Sequence, residues 1–550
     1  MHLRDTFRKS CNLAAILIIL FGLFSSEAIS DARWLALLGL AWLLLLAGTH
    51  IELPDDLPTF NRGTIRTAFV IFTVFVLLAA QLLRIQVVQS DNTFYRTGIA
   101  PDKQIIANQR ASSDSLLVQR GRIYDRNGIV IADTVEQDGE YFREWPDPAT
   151  AYVSGYFSPL LYGSSGLEAN WNEELTGQSG GDPVDEWLDG LLGRPRTGYD
   201  LNLTLDSNLQ NTATDLLDGR TGAVVVMDVK TGAVLVLVSS PIYDPNQIFT
   251  ANQEENDAAI AYWNDLNADG ARAPLLVRAT DGLYTPGSTF KTITSAIAIE
   301  AGVASPDSVY EDDGSLVIDG RELIEFNRPD PGRDQWTLEE GVGWSLNVVL
   351  AQVGLDLGAK RMREGAGRFG FGQPVPFDLH VATSQLASED DYLENSNALA
   401  DTAFGQGQIL VSPLQMAMVA SCFANDGKMM QPYLVQTVTN ADGEVQETTR
   451  PKTWKTPVSA STAGDVRDMM IYAVEQGAIQ RASGTGYLLG GKTGTAEIGD
   501  GSNNSWFIGF IGESEPEYAV AVVLEKDTST PGTTTDIATN ILLATMQQRP

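Results

Sequence analysis

The opening stretch of the chain sets the firmest limit on its fold. Three runs free of Asp, Glu, Lys and Arg lie between Lys9 and Glu27, between Arg33 and Glu52, and between Arg66 and Arg84. Each is about 17 to 18 residues long, near the minimum that crosses roughly 30 Å of hydrocarbon. They predict three membrane helices. The first run can also be read as a leader peptide, because Arg4, Arg8 and Lys9 precede it and "AIS" before Asp31 resembles a cleavage site. Lys and Arg are denser in the N-terminus and in the link from His50 to Arg66 than in the link from Ser25 to Arg33. The first two therefore face the cytoplasm, and everything after Arg84 lies outside. Losing the first run leaves that outcome unchanged.

The remainder is long enough for more than one core. Residues 91–200 are polar and turn-rich, and in "RGRIYDRNGIVIADT" the pair Asn127-Gly128 separates two alternating runs, a hairpin signal. From residue 201 to 550, strands at both ends enclose a helical middle, which predicts an α+β fold with helices covering an antiparallel sheet. The net charge of −33 argues against nucleic acid, whose phosphates need a cationic surface. Three histidines, His2, His50 and His380, with no His-Glu-x-x-His, argue against a zinc site. Cys11 at the membrane edge and Cys422 in an apolar helical stretch are not expected to form a disulfide.

Two Lys-Thr-Gly copies occur. In "GAVVVMDVKTGAVLVLV" the one at Lys230 sits between two β-branched runs, with Gly232 where a hairpin needs positive φ, so it reads as a turn. In "LLGGKTGTAEIGDG" Lys492 opens a strand on which Thr493 and Thr495 share one face, while Gly494 leaves room for another backbone or a ligand. A strand of this kind can hold a carboxylate, but it needs a nucleophile.

"LYTPGSTFKTITSAIAIEAG" supplies one. Pro286-Gly287 breaks the chain before a helical pattern with Phe290, Ile293, Ile297 and Ala301 on one face, and Gly302 is the stop. Ser288 and Lys291 then stand three apart on the first turn, where hydroxyl and amine can meet. The helix N-terminus favours an alkoxide over an ammonium. Ser288 is the only Ser three residues before a Lys, although a serine there can also serve merely as a cap. In "TLEEGVGWSLNVVLAQVG", Thr337 and Glu340 form a capping box, and Ser345-Leu346-Asn347 follows two interrupting glycines. Other Ser-x-Asn triplets occur, among them those at Ser90 and Ser502, but only that at Ser345 falls between Ser288 and Lys492.

Ser-x-x-Lys, Ser-x-Asn and Lys-Thr-Gly in this order resemble the signature of penicillin-binding proteins and serine β-lactamases. "YTPGSTFK", "GQGQILVSPLQMA" and "GGKTGTAE" look like transpeptidase sequence across residues 201–550, and "RGRIYDRNG" and "SGLEANWNEELTG" resemble the mostly β pedestal of class B, monofunctional enzymes. The resemblance implies a membrane region at 1–90, a non-catalytic pedestal at 91–200 and a transpeptidase domain at 201–550. The two additional apolar runs fall outside the family pattern.

What the resemblance implies chemically is acyl transfer through a serine ester. Ser288 would attack the D-Ala-D-Ala bond of a peptidoglycan stem peptide, Lys291 would take its proton, and Ser345 would relay a proton to the leaving D-alanine. Asn347 would orient Lys291 and the substrate amide. Lys492, Thr493 and Thr495 would hold the terminal carboxylate beside Gly494, and the amides of Ser288 and Thr495 would form the oxyanion hole. A Lys492 about 6 Å from Lys291 would repel it by roughly 3 kcal/mol at an effective dielectric near 20, about two pKa units toward the neutral base. β-Lactams would acylate the same serine. No cofactor is called for, and the expected partner is a multi-spanning glycosyltransferase at the plasma membrane. A membrane-anchored β-lactamase or a β-lactam sensor would share the motifs. The former adds a carboxylate that activates water, and the sequence does not place one.

Overall fold

A computed structural model describes residues 2–24, 31–49, 57–83, 98–99, 105–106, 115–137, 139–178, 197–250, 255–268, 270, 272–389, 391–498 and 501–548. The chain divides into two compact units, residues 1–115 and 116–550.

The first unit holds three helices, α1 (His2–Phe24), α2 (Asp31–Gly48) and α3 (Thr59–Leu83). Among the described residues, only the stretch Thr59–Ala79 is long and apolar enough by length and composition to cross a membrane; the apolar part of α2, Arg33–Gly48, is shorter. The cleavage-like residues 28–30 and Ser90 lie outside the described residues. Polar side chains tie α2 to α3: Trp34 Nε1 donates to Gln81 Oε1 at 2.5 Å and Trp42 Nε1 to Thr73 Oγ1 at 3.2 Å. Thr73 is consequently buried, while Phe72, Phe75 and Leu82 stay exposed.

In the second unit the expected hairpin forms. Ile123–Tyr124 pairs antiparallel with Val130–Gln137 around Gly128, whose φ is +79°, and Asp125 Oδ1 accepts the amides of Asn127 and Ile129. The hairpin joins a six-stranded sheet in which Ile123–Tyr124 runs beside Asp200–Leu203, followed by Val435–Thr439 and Val445–Thr448. Residue 200 thus lies within a sheet built from both sides of it. The segments "RGRIYDRNG" and "SGLEANWNEELTG" meet through buried charge, since Glu168 accepts from Arg120 Nε at 3.0 Å and from Arg143 Nε at 2.6 Å. The one carboxylate bridges both guanidiniums, so each buried arginine has a charged acceptor although the trio keeps a net positive charge.

The central sheet is antiparallel and five-stranded. Its strands are β1 (Gly222–Asp228), β2 (Val234–Ser240), β3 (Leu488–Glu497), β4 (Asn503–Gly512) and β5 (Pro516–Leu524), in the order β2-β1-β5-β4-β3. Both faces are apolar, so both must be covered. Val224, Val226, Phe507, Val520 and Val522 pack against helices α4 (Ser207–Leu217) and α8 (Thr533–Gln547). Val225, Met227, Ile508, Phe510 and Ala521 face the helical middle, which comprises α5 (Lys291–Glu300), α6 (Asn347–Arg368) and α7 (Pro413–Ala424). Every residue of α7 is buried, Gln415 and Ser421 among ten others that leave it no polar face, and it carries Cys422. This is the α+β arrangement the sequence predicts, with β3 as an edge strand.

Candidate active site

The first Lys-Thr-Gly copy is a hairpin turn between β1 and β2. Asp228 Oδ1 accepts the amides of Lys230 and Thr231, and Gly232 has φ +83°. Among the described residues, the exposed Lys230 amine bonds to Asn425 Oδ1, at 3.2 Å, and to no other. The second copy lies on β3 and faces the start of α5.

Pro286 leads into a tight turn, Gly287–Phe290, that runs directly into α5. Phe290, Ile293 and Ile297 are buried as the apolar face requires, and Gly302 has φ +66° just past the helix end; Ala301, expected on that face, is exposed as the last residue before the stop. Neither turn nor helix is capped by a side chain, so Ser288 is not spent as a cap. Lys291 is completely buried.

β3 comes against this turn at backbone distance. A Cβ on Gly287 would stand 2.5 Å from Thr495 O, and one on Gly494 would stand 2.6 Å from Pro286 O. What approaches Gly494 is therefore another backbone. Gly287 also needs its glycine for φ +56°, and its amide donates to Gly405 O at 2.9 Å. The "GQGQ" segment closes the contact, with Gln406 Nε2 donating to Thr495 O at 3.2 Å.

The Ser-x-Asn element enters from a third side. The Thr337/Glu340 capping box forms and starts the helix Leu338–Gly343. Trp344 follows, then Ser345 with φ +64°, a left-handed conformation that a non-glycine residue adopts only under constraint. Ser345 is not the cap of α6; that position is Leu346. Its hydroxyl instead accepts from Lys492 Nζ at 2.9 Å and from Lys291 Nζ at 3.2 Å. Lys291 Nζ also donates to Ser345 O at 2.6 Å and to Asn347 Oδ1 at 2.8 Å, and Lys492 Nζ to Thr493 O at 2.9 Å. Lys291, Ser345, Asn347 and Lys492 thus come from three separate elements to one place, with Ser288 in the turn that opens α5, three residues before Lys291. Thr493, half-buried, and Thr495, exposed, alternate with buried Lys492, Gly494 and Ala496.

Two amines on one hydroxyl are no more than about 6 Å apart, where an effective dielectric near 20 gives about 3 kcal/mol of repulsion. Burial and that repulsion hold Lys291 well below the ordinary lysine range, and burial pushes Lys492 down to about 7. Made neutral, Lys291 keeps its two N–H bonds for Ser345 O and Asn347 Oδ1, gives up the longer one to Ser345 Oγ, and has a lone pair to take a proton near neutral pH.

Two contacts to this site escape motif reading. Asn327 Nδ2 donates to Ser345 O at 3.0 Å, and Glu325 Oε2 accepts the amide of Val348 at 2.9 Å. The available signal is a Glu two residues before an Asn in "RELIEFN", just past the mostly exposed strand Arg321–Ile324.

Residues 222–547 match the family model described as the penicillin binding protein transpeptidase domain, and residues 120–201 match the penicillin binding protein A dimerisation domain. The chain is 33% identical over 486 residues to a peptidoglycan D,D-transpeptidase PbpA of Mycolicibacterium smegmatis, covering 84% of this chain and 94% of that one. Among solved structures, the D,D-transpeptidase domain of a peptidoglycan glycosyltransferase from Eggerthella lenta superposes with TM-score 0.69 at 35% identity, over 78% of this chain and 99% of that one. Penicillin-binding protein A of M. tuberculosis, in its ceftriaxone acyl-enzyme complex, superposes with TM-score 0.71 at 30% identity, over 80% and 100%.

Proposed function

Since the chain belongs to the penicillin-binding protein transpeptidase family, we propose that the site just described carries out peptidoglycan D,D-transpeptidation in the manner of class B enzymes. The protein is a serine-type D,D-transpeptidase that β-lactams acylate. The observation that carries the assignment of roles is the Ser345 hydroxyl held between two buried lysines, one of them three residues after an unspent Ser288.

The Ser288 Oγ–H bond breaks as its proton passes to neutral Lys291 Nζ, and Oγ bonds to the carbonyl carbon between the two D-alanines. The oxyanion lies against the amides of Ser288 and Thr495, the latter on the edge strand. As the intermediate collapses, the C–N bond breaks and the departing amine takes a proton through Ser345 Oγ, the group that touches both lysines. Lys492, Thr493 and Thr495 hold the substrate carboxylate. An amine from a second stem peptide then attacks the ester, and Ser288 regains its proton.

Incubation with penicillin G followed by intact-mass measurement tests this. One persistent adduct, mapped to Ser288, and formation of cross-linked dimer from stem peptides are expected. Rapid loss of the adduct with release of hydrolysed drug would point to a β-lactamase instead. Peptide-binding without any cross-linked product would point to a sensor.

Residues 1–90 serve as the anchor at the plasma membrane, residues 91–200 as the pedestal and residues 201–550 as the catalytic domain, which lies outside. A class B transpeptidase makes no glycan and works beside a polymerase, a multi-spanning glycosyltransferase. Thr73 is not available to such a partner, because Trp42 already holds it. The exposed Phe72, Phe75 and Leu82 of α3 remain, so association would rest on side-chain shape. Exchange of residues 67–83 for an unrelated apolar helix is expected to preserve penicillin labelling and reduce co-purification with the polymerase. Undiminished co-purification would reduce α3 to a tether. Deletion of residues 1–50 strips Trp34 and Trp42 from Gln81 and Thr73, and is expected to weaken the same association.

A further inference from the structure

We infer that Glu325 and Asn327 are positioning residues for the acyl transfer: Asn327 locks the Ser345 carbonyl toward Lys291, and Glu325 holds Asn327 and the first turn of α6 while placing a carboxylate behind the lysine pair. The inference rests on the acyl-transfer reading, because the attitude of Ser345 matters only if its hydroxyl handles a proton.

Geometry carries it. Ser345 sits at φ +64°, a strained conformation that persists only where surrounding contacts over-determine it. Its carbonyl accepts from two side chains, Lys291 Nζ at 2.6 Å and Asn327 Nδ2 at 3.0 Å. A carbonyl fixed from two directions cannot swing, so the hydroxyl on the same residue stays within reach of both Lys291 and Lys492. Asn327 is fixed in turn. Glu325 Oε1 accepts the amides of Phe326 and Asn327, each at 3.0 Å, and Oε2 accepts the Val348 amide at 2.9 Å. One buried carboxylate thus clamps the loop that bears Asn327 to the helix that bears Asn347.

The same three bonds show what Glu325 does. Three of its roughly four acceptor sites are taken by backbone amides, so its first task is to hold the loop to the helix. Its charge still acts on the site. Two charged groups influence Lys291: Lys492 from β3, which opposes its protonation, and Glu325, which favours it. Asn347 on α6 faces Lys291 as a neutral acceptor. The pair of opposed charges sets where on the pH scale Lys291 becomes a free base.

The test uses the full chain in detergent and the second-order rate of acylation by a fluorescent penicillin, measured from pH 5 to 9 for the wild type, Asn327→Ala, Glu325→Gln and Glu325→Asp, with thermal unfolding as the folding control. Asn327→Ala is expected to acylate at least tenfold more slowly with its pH midpoint near that of the wild type. Glu325→Gln is expected to move the midpoint to lower pH by half a unit or more, since removing a negative charge favours neutral Lys291. Glu325→Asp, which keeps the charge on a shorter arm, should be slower with the midpoint in place. Asn327→Ala within twofold of the wild type, or an unmoved midpoint in Glu325→Gln, overturns the inference. Should Glu325→Gln fail to fold, the Asn327→Ala rate and the Glu325→Asp midpoint decide. A wild type that is not acylated would instead overturn the acyl-transfer reading itself.

Discussion

Replacing Ser288 with Ala is expected to abolish labelling by a fluorescent penicillin, to below a thousandth of the wild-type rate, while leaving the unfolding transition within a few degrees. The two halves of this expectation have separate grounds. Covalent labelling needs an oxygen that can form an ester, and removing the attacking group of a catalytic set typically costs several orders of magnitude. Stability should change little because Ser288 caps neither its turn nor α5, and among the described residues its hydroxyl makes no hydrogen bond that folding would lose. Measured side by side, gel fluorescence and a melting curve distinguish lost chemistry from lost structure. Labelling that persists at the wild-type level would mean that another residue carries the acyl group.

The second large effect separates the two Lys-Thr-Gly copies. Lys492→Ala removes a buried amine that donates to Ser345 Oγ at 2.9 Å and stands beside Lys291, so acylation should fall about 10²–10³-fold, the scale seen when one pre-organised donor is lost from an active site. Lys230→Ala removes one bond to Asn425 from an exposed turn and should stay within about 0.5 kcal/mol of wild-type stability with unchanged acylation. Equal losses in both variants would mean that one copy has been assigned the wrong role.

Lys492 also leaves a signature on stability. Its amine is held at about 7 in the fold against an ordinary value of 10.5, so between those limits the unfolded chain binds the extra proton. Stability contributed by this group therefore rises with pH across that window, and denaturant titrations at pH 7 and pH 9 should show a rise that is smaller in Lys492→Ala. A rise of equal size in the variant would show that Lys492 is not the group responsible.

Much of the site could be read from sequence because its determinants are local. A Pro-Gly break before a 3.6-residue pattern announces the start of α5, Thr337 and Glu340 announce the helix before Ser345, and Gly232 between two β-branched runs announces a turn. Each of these depends on residues a few positions apart, whose backbone preferences act before any tertiary contact forms. The reaction itself was implied by the family resemblance that Ser-x-x-Lys, Ser-x-Asn and Lys-Thr-Gly carry in that order.

What the sequence left open depends on residues far apart in the chain. Gly494 was compatible with a neighbouring backbone or a ligand, and only the approach of β3 to the turn at Pro286 decides for the backbone. Ser345 carries no local signal for its backbone conformation. Its left-handed conformation is decided by Lys291, Asn327 and Lys492, which lie 54, 18 and 147 positions away. Nothing near Thr73 in the chain announces that its hydroxyl is taken by Trp42 of α2, 31 positions away. Local pattern determines which element forms and which face it must bury. Which two faces meet is decided by burial of the whole core at once, since β1 and β2 near residue 230 and β3 to β5 near residue 500 complete one sheet only when both ends of the chain are present.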